Sequence, residues 1–235
     1  MNLIKKFYKV LAFNATTDDH YKHQISGPTT PWPQLNDLIN DSDTVLELGC
    51  GTGWLSNRIA HNWHSVDVTG IDLLEENTQY AERFAYSNSR FITQDLLECD
   101  RTADTVISVG VLHHIPGHNI KDLIRLTVNK ANKYAFIGLY YKPSRTEVLR
   151  YFNAIPEHNR YSEFKRMTPW INSEIQRRSW YRDQFEHPHE KSVVLRDLDV
   201  GIPFESFGNY SGNSATERLL NGEFVSGFVY GVYKC

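Results

Sequence analysis

The stretch Val45-Leu46-Glu47-Leu48-Gly49-Cys50-Gly51-Thr52-Gly53-Trp54-Leu55 constrains the fold of this chain more than any other. It opens on apolar and β-branched residues, as a buried parallel strand does. It then places glycine at positions 49, 51 and 53. Glycine tolerates positive φ and lets a ligand approach the backbone closely. After Gly53, the residues Trp54, Leu55 and Ile59 recur at helical spacing. The segment therefore reads as strand, tight turn and helix start. In an open α/β sheet, a nucleotide-like ligand binds at such a turn, beyond the carboxyl ends of the strands. No Lys-Ser/Thr pair follows the glycines, so the turn is not a phosphate-cradling P-loop. A dinucleotide fingerprint needs G-x-G-x-x-G, and position 54 is Trp.

The elements after it alternate. Thr44–Leu48 is the first strand, and its following helix runs to about Asn62. Val66–Ile71 is the second strand, ending in Gly70-Ile71-Asp72. An acidic residue about 20 positions past the glycines suits a ribose diol, because a carboxylate accepts two hydroxyl donors. Asp72, 21 positions after Gly51, stands there. Its local alternative is an N-cap of the next helix, with Glu75 as the third capping-box position. Glu75–Tyr86 is the second helix and Arg90–Thr93 the third strand, which leads to Gln94-Asp95-Leu96. Taken alone, Asp95 is a turn residue. Thr102–Val109 is the fourth strand, followed by Gly110-Val111-Leu112-His113-His114-Ile115-Pro116. A helix over Asn119–Asn129 and a fifth strand over Tyr134–Tyr140 come next. Glu223–Tyr233 reads as a final strand, with Ile202–Phe207 as its partner. Such alternation predicts an α/β fold: a mostly parallel sheet with helices on both faces.

The string ELGCGTG at residues 47–53 resembles the first motif of class I S-adenosylmethionine (SAM)-dependent methyltransferases, and VLHHIP resembles the segment after their fourth strand. The resemblance covers roughly residues 44–140. It implies a Rossmann-like, seven-stranded sheet ending in a hairpin with one antiparallel strand. It implies SAM as cofactor, with Glu47, Gly49, Cys50 and Gly51 around its methionine part and Asp72 and Leu73 at its ribose. Asp95 would accept from the adenine amino group, with Leu96 as an apolar wall, and Gly110 completes the set. His113 and His114 fall where an acceptor approaches. Neutral imidazole accepts a proton near pH 7, and His114 is the first choice of general base. The structural alternative is that one caps the following turn and the other packs on the sheet. The implied activity is methyl transfer to oxygen, nitrogen or carbon of a small-molecule acceptor. A non-catalytic SAM-binding module is the rival from another class. Methylation of RNA or protein is a rival among enzymes, and no Asn-Pro-Pro-Tyr-type motif supports it.

Composition adds bounds. The net charge is −3 over 235 residues, so no nucleic-acid or membrane partner is expected. No apolar run reaches about 18 residues, and Met1–Phe7 does not begin a secretory pattern. The three cysteines, Cys50, Cys99 and Cys235, form no CxxC pair. That argues against a zinc site or disulfide framework and for a cytoplasmic setting. The expected organisation is an N-terminal arm over 1–30, a SAM-binding core over 31–140, a helical cap over 141–200 and core-completing strands over 201–235. The arm, with a weak helix over Leu3–Leu11, is read as surface in preference to a lid placing Tyr21 or His23 inward. Pro31 or Pro33 would start a helix through Leu35, Leu38 and Ile39. The cap is rich in aromatics and arginines, which suit either a specificity lid or an ordinary helical subdomain. Within it, Trp180-Tyr181-Arg182-Asp183-Gln184-Phe185-Glu186-His187-Pro188-His189-Glu190 resembles a signature of a poorly characterised methyltransferase subgroup. Asp183, His187, His189 and Glu190 are read as a hydrogen-bond network rather than metal ligands, and no metal is expected.

Overall fold

A computed structural model describes residues 18–112, 115, 118–141, 199–207 and 227–235. In chain order these form α1 (Asp18–Ile25), α2 (Pro33–Asn40), β1 (Thr44–Leu48), α3 (Trp54–Asn62), β2 (Asp67–Asp72), α4 (Glu75–Glu82), β3 (Ser89–Thr93), β4 (Ala103–Val109), α5 (Ile120–Val128), β5 (Ala131–Tyr141), β6 (Phe204–Phe207) and β7 (Gly227–Lys234). The seven strands make one sheet in the order β3-β2-β1-β4-β5-β7-β6. Pairings from β3 through β5 are parallel. Among the described strands, β7 is antiparallel to the rest, pairing so with both β5 and β6. The order reverses between β1 and β4, which opens a crevice at their carboxyl ends.

Strand alternation sorts the core into two layers. Val45, Ile107, Phe136 and Val232 face α2 and α3, where Leu35, Ile39, Leu55 and Ile59 cover them. Ala135, Ile137, Leu139 and Tyr233 face the other way, against Leu123, Ile124 and Val128 of α5. Each fully buried Leu or Ile contributes about 1.5–3 kcal/mol. Pro33 begins α2, where its missing N–H costs nothing. The Asn119 side chain caps α5 by accepting from Lys121 N–H at 2.9 Å.

Several boundaries move. α4 ends at Glu82 rather than Tyr86, because Arg83, Phe84 and Ala85 donate their N–H groups three residues back to Tyr80, Ala81 and Glu82. That tighter turn carries Phe84 to the Tyr21 ring, 4.6 Å between centroids. β2 starts at Asp67, since Val66 N–H is spent on Trp63 C=O, and it extends to Asp72, which pairs with Thr93. β5 starts at Ala131 instead of Tyr134. A register shift between Ala103 and Thr105 lets Ala103 pair with Ala131. β6 begins at Phe204 rather than Ile202. The larger correction concerns the N-terminal arm. Tyr21 is fully buried and Ile25 nearly so, so α1 belongs to the core, while His23 is exposed. The helix over Leu3–Leu11, nearly all of the cap and residues 223–226 of the last strand lie outside the described residues. Among the described residues, no helix is long and apolar enough to cross a membrane.

Candidate cofactor site

The carboxyl ends of β1, β2, β3 and β4 bring Gly49, Asp72, Asp95 and Gly110 to the same edge of the sheet. The turn after β1 is built from left-handed glycines, with φ +74° at Gly49, +55° at Gly51 and +74° at Gly53. The N–H groups of Gly49 and Cys50 both donate to Ile71 C=O, at 2.7 and 2.9 Å, locking the turn to β2. The three glycines are required for different reasons. A Cβ on Gly49 would lie 2.5 Å from both Val111 methyls, and one on Gly53 would lie 2.5 Å from Ala81 Cβ and Phe91 Cε1. A Cβ on Gly51 would meet nothing within 4 Å. Gly51 therefore faces open space, and its backbone is available for close approach by a ligand.

Asp72 braces this opening. Its Oδ2 accepts from Gly51 N–H at 2.9 Å. Its Oδ1 accepts from Leu74 N–H at 2.9 Å and Asn77 Nδ2 at 3.0 Å. The helix N-cap is Leu74, so the capping alternative for Asp72 gives way to a brace between turn and helix. Leu73, beside it, is half-buried. Asp95 is half-buried in a turn where its Oδ1 accepts from Leu97 N–H at 3.0 Å, and Leu96 beside it is buried. Gly110 has φ +73° and donates its N–H to Gly138 C=O at 2.9 Å. Cys50 is buried against Gly70 and Phe91, and burial pushes its thiol well up, so it offers the edge backbone rather than a reactive sulfur. His113, His114 and the 180–190 string lie outside the described residues.

Glu47 sits beneath the turn, buried on the α3 side of β1. One carboxylate oxygen accepts from Ser56 N–H at 3.1 Å and from Ser56 Oγ at 2.5 Å. It thus satisfies a free N–H in the first turn of α3, whose N-cap Gly53 has no side chain to do so. Burial pushes Glu47 up to about 7, against the Ser56 hydrogen bonds that lower it, with Asp72 adding to the rise. A raised carboxyl stabilises the fold fully below its unfolded value, and that contribution is lost as pH rises through the folded value. The span from 4.5 to about 7 corresponds to about 3 kcal/mol. We expect the stability of the native protein relative to Glu47→Gln to fall by up to about that much between about pH 4.5 and pH 8. Urea unfolding at both ends of the range measures it, and a pH-independent difference would refute it.

Three contributors escape the sequence pattern. Ser56 and Asn57, both fully buried, are polar residues on a helix otherwise marked by Trp54, Leu55 and Ile59. That interruption of the apolar face was the available signal. Val111, packed on Gly49, had none.

Residues 45–129 match a family described as "Methyltransferase domain". Over 83 residues the chain is 34% identical to the probable (S)-tetrahydroprotoberberine N-methyltransferase 2 of Papaver bracteatum, covering 33% of this chain and 23% of that protein. Over 89 residues it is 30% identical to the malonyl-[acyl-carrier protein] O-methyltransferase of Bacillus anthracis, covering 37% and 32%. The chain thus matches less than a third or so of the length of these curated relatives. In three dimensions it is similar to magnesium protoporphyrin IX methyltransferase from Synechocystis PCC 6803, a structure solved with SAM bound. The TM-score is 0.55 at 17% identity, covering 99% of this chain and 97% of that one. The fold is Rossmann-like, of the kind found in SAM-dependent methyltransferases.

Proposed function

We infer that this protein is a SAM-dependent methyltransferase acting on a small-molecule acceptor. The observation that carries this reading is the cradle at Gly51. Its backbone faces open space between two packed glycines, beside the Asp72 carboxylate, at the crevice between β1 and β4. The family match over residues 45–129 supports the same chemistry. Glu47, Gly49, Cys50 and Gly51 would hold the methionine part of the cofactor. Asp72 and Leu73 would hold the ribose, Asp95 and Leu96 the adenine, with Gly110 closing the edge.

When bound, SAM supplies a methyl group on a sulfonium, which is already a good leaving group. The protein's work is then alignment and exclusion of water. The rigid turn supplies alignment, since Gly49 and Gly53 are wedged against Val111, Ala81 and Phe91. Where the acceptor must lose a proton, His114, or His113 beside it, is our candidate to take it. The relatives' names span N- and O-methylation, which supports a nitrogen or oxygen acceptor atom, with carbon as the third chemistry a SAM methyl can reach. Incubation with methyl-labelled SAM and panels of hydroxylated, amino and carboxylic small molecules tests the reading. We expect label in a small product together with release of S-adenosylhomocysteine. Labelling of protein or RNA alone would contradict the acceptor class.

A further inference from the structure

Tyr21 is fully buried, and its hydroxyl donates to Thr52 C=O at 2.7 Å, 31 residues away. The same oxygen accepts from Asn57 Nδ2 at 3.0 Å, and Asn57 Oδ1 accepts from Ser89 Oγ at 3.1 Å. A polar chain, buried at Tyr21 and Asn57, therefore runs from β3 through α3 and α1 into the glycine turn. Its direction is set at Tyr21: with Asn57 donating in, the single phenolic proton goes to Thr52. Burial pushes this phenol far up, so it stays protonated. The ring is held at 5.2 Å from Tyr80 and 4.6 Å from Phe84, centroid to centroid. Asp18, at the start of α1, accepts from Tyr80 Oη at 2.9 Å and pairs with Arg83 at 2.6 Å.

The contact acts on one peptide unit. Thr52 C=O and Gly53 N–H belong to the same plane. The carbonyl is held by Tyr21, and the N–H donates to Cys50 C=O at 2.9 Å. Gly53, at one end of this unit, has φ +74° and no Cβ, so sterics on that side leave the unit freer to rotate than an L-residue would. Asp72 fixes Gly51 N–H from the sheet side, and Tyr21 fixes the Thr52–Gly53 unit from the helix side.

We propose that Tyr21 is a positioning residue for the cofactor site: its hydroxyl, held on Thr52 C=O, preorganises the glycine turn, so that α1 is part of the site. This rests on the SAM reading above and extends it to a helix that lies outside the matched segment 45–129. Preorganisation appears as affinity, because a turn that must be ordered on binding subtracts that cost.

The test compares Tyr21→Phe with Ile25→Val. Tyr21→Phe keeps the ring contacts and removes two hydrogen bonds, the one donated to Thr52 C=O and the one accepted from Asn57 Nδ2. Ile25→Val loosens the same helix through its other buried side chain. Calorimetry with S-adenosylhomocysteine is run alongside amide exchange at Gly53 in the ligand-free protein. We expect Tyr21→Phe to bind about tenfold more weakly and to exchange Gly53 N–H faster. Ile25→Val should match the unsubstituted protein in both readouts. Unchanged affinity in Tyr21→Phe, or an equal loss in Ile25→Val, would overturn the positioning role while leaving the cofactor reading intact. Failure of the unsubstituted protein to bind would overturn both.

Discussion

Asp72→Ala is expected to lower SAM affinity by at least about a hundredfold. Two causes combine. The ribose would lose a carboxylate that accepts its hydroxyls, and hydrogen bonds to charged groups are worth about 1.5–3 kcal/mol each. The turn would also lose its brace, since Gly51 N–H donates to Oδ2 and Leu74 and Asn77 donate to Oδ1. The alanine variant should therefore be less stable as well, by about 1–3 kcal/mol. Asp72→Asn separates the two effects. It keeps one acceptor oxygen and removes the charge, so its affinity should fall strongly with a smaller loss of stability. Calorimetry and thermal unfolding on the three proteins provide the check. Affinity that survives in Asp72→Asn would remove the ribose assignment and leave Asp72 a structural brace alone.

The second large effect is a contrast between two glycines of the same turn. Gly53→Ala should destabilise the protein by about 2–5 kcal/mol. Its φ is +74°, and the new methyl would sit 2.5 Å from Ala81 Cβ and from Phe91. Left-handed backbone costs an L-residue about 1–2 kcal/mol, and overpacking a core adds about 1–3 kcal/mol. Gly51→Ala meets nothing within 4 Å, so its stability loss should stay near the backbone cost of about 1–2 kcal/mol. Its methyl would instead stand in the space through which a ligand reaches the turn. Binding, rather than stability, should suffer there by an order of magnitude or more. Equal stability losses at the two positions, with binding unaffected at Gly51, would contradict this division of roles.

Much of this architecture is legible in the chain because it is local. β1, the glycine turn and α3 fall where the pattern places them, Thr44–Leu48 and Trp54–Asn62, since apolar run, glycine spacing and helical period coincide there. The antiparallel pairing of β7 with β5 is expected only from the resemblance to class I methyltransferases, not from the pattern of residues. What is not legible depends on distant partners. Tyr21 resembles any aromatic in a polar arm until Thr52, Asn57 and Phe84 surround it. The early end of α4 has the same origin. Helical spacing continues through Phe84, but its ring is drawn to Tyr21. Asp72 shows a mixed case. Its place at the end of β2 is readable from spacing, whereas its three backbone and side-chain donors are not. Glu47 is similar, because a strand carboxylate could belong to ligand or to fold, and Ser56 engages it within the fold.

Titration calorimetry of the purified protein with SAM, and separately with S-adenosylhomocysteine, tests the central claim most directly. The cradle around Gly51 and Asp72 predicts binding of both, with Kd on the order of micromolar. A folded protein that binds neither would contradict the claim and leave the glycine turn as a structural connection between β1 and α3.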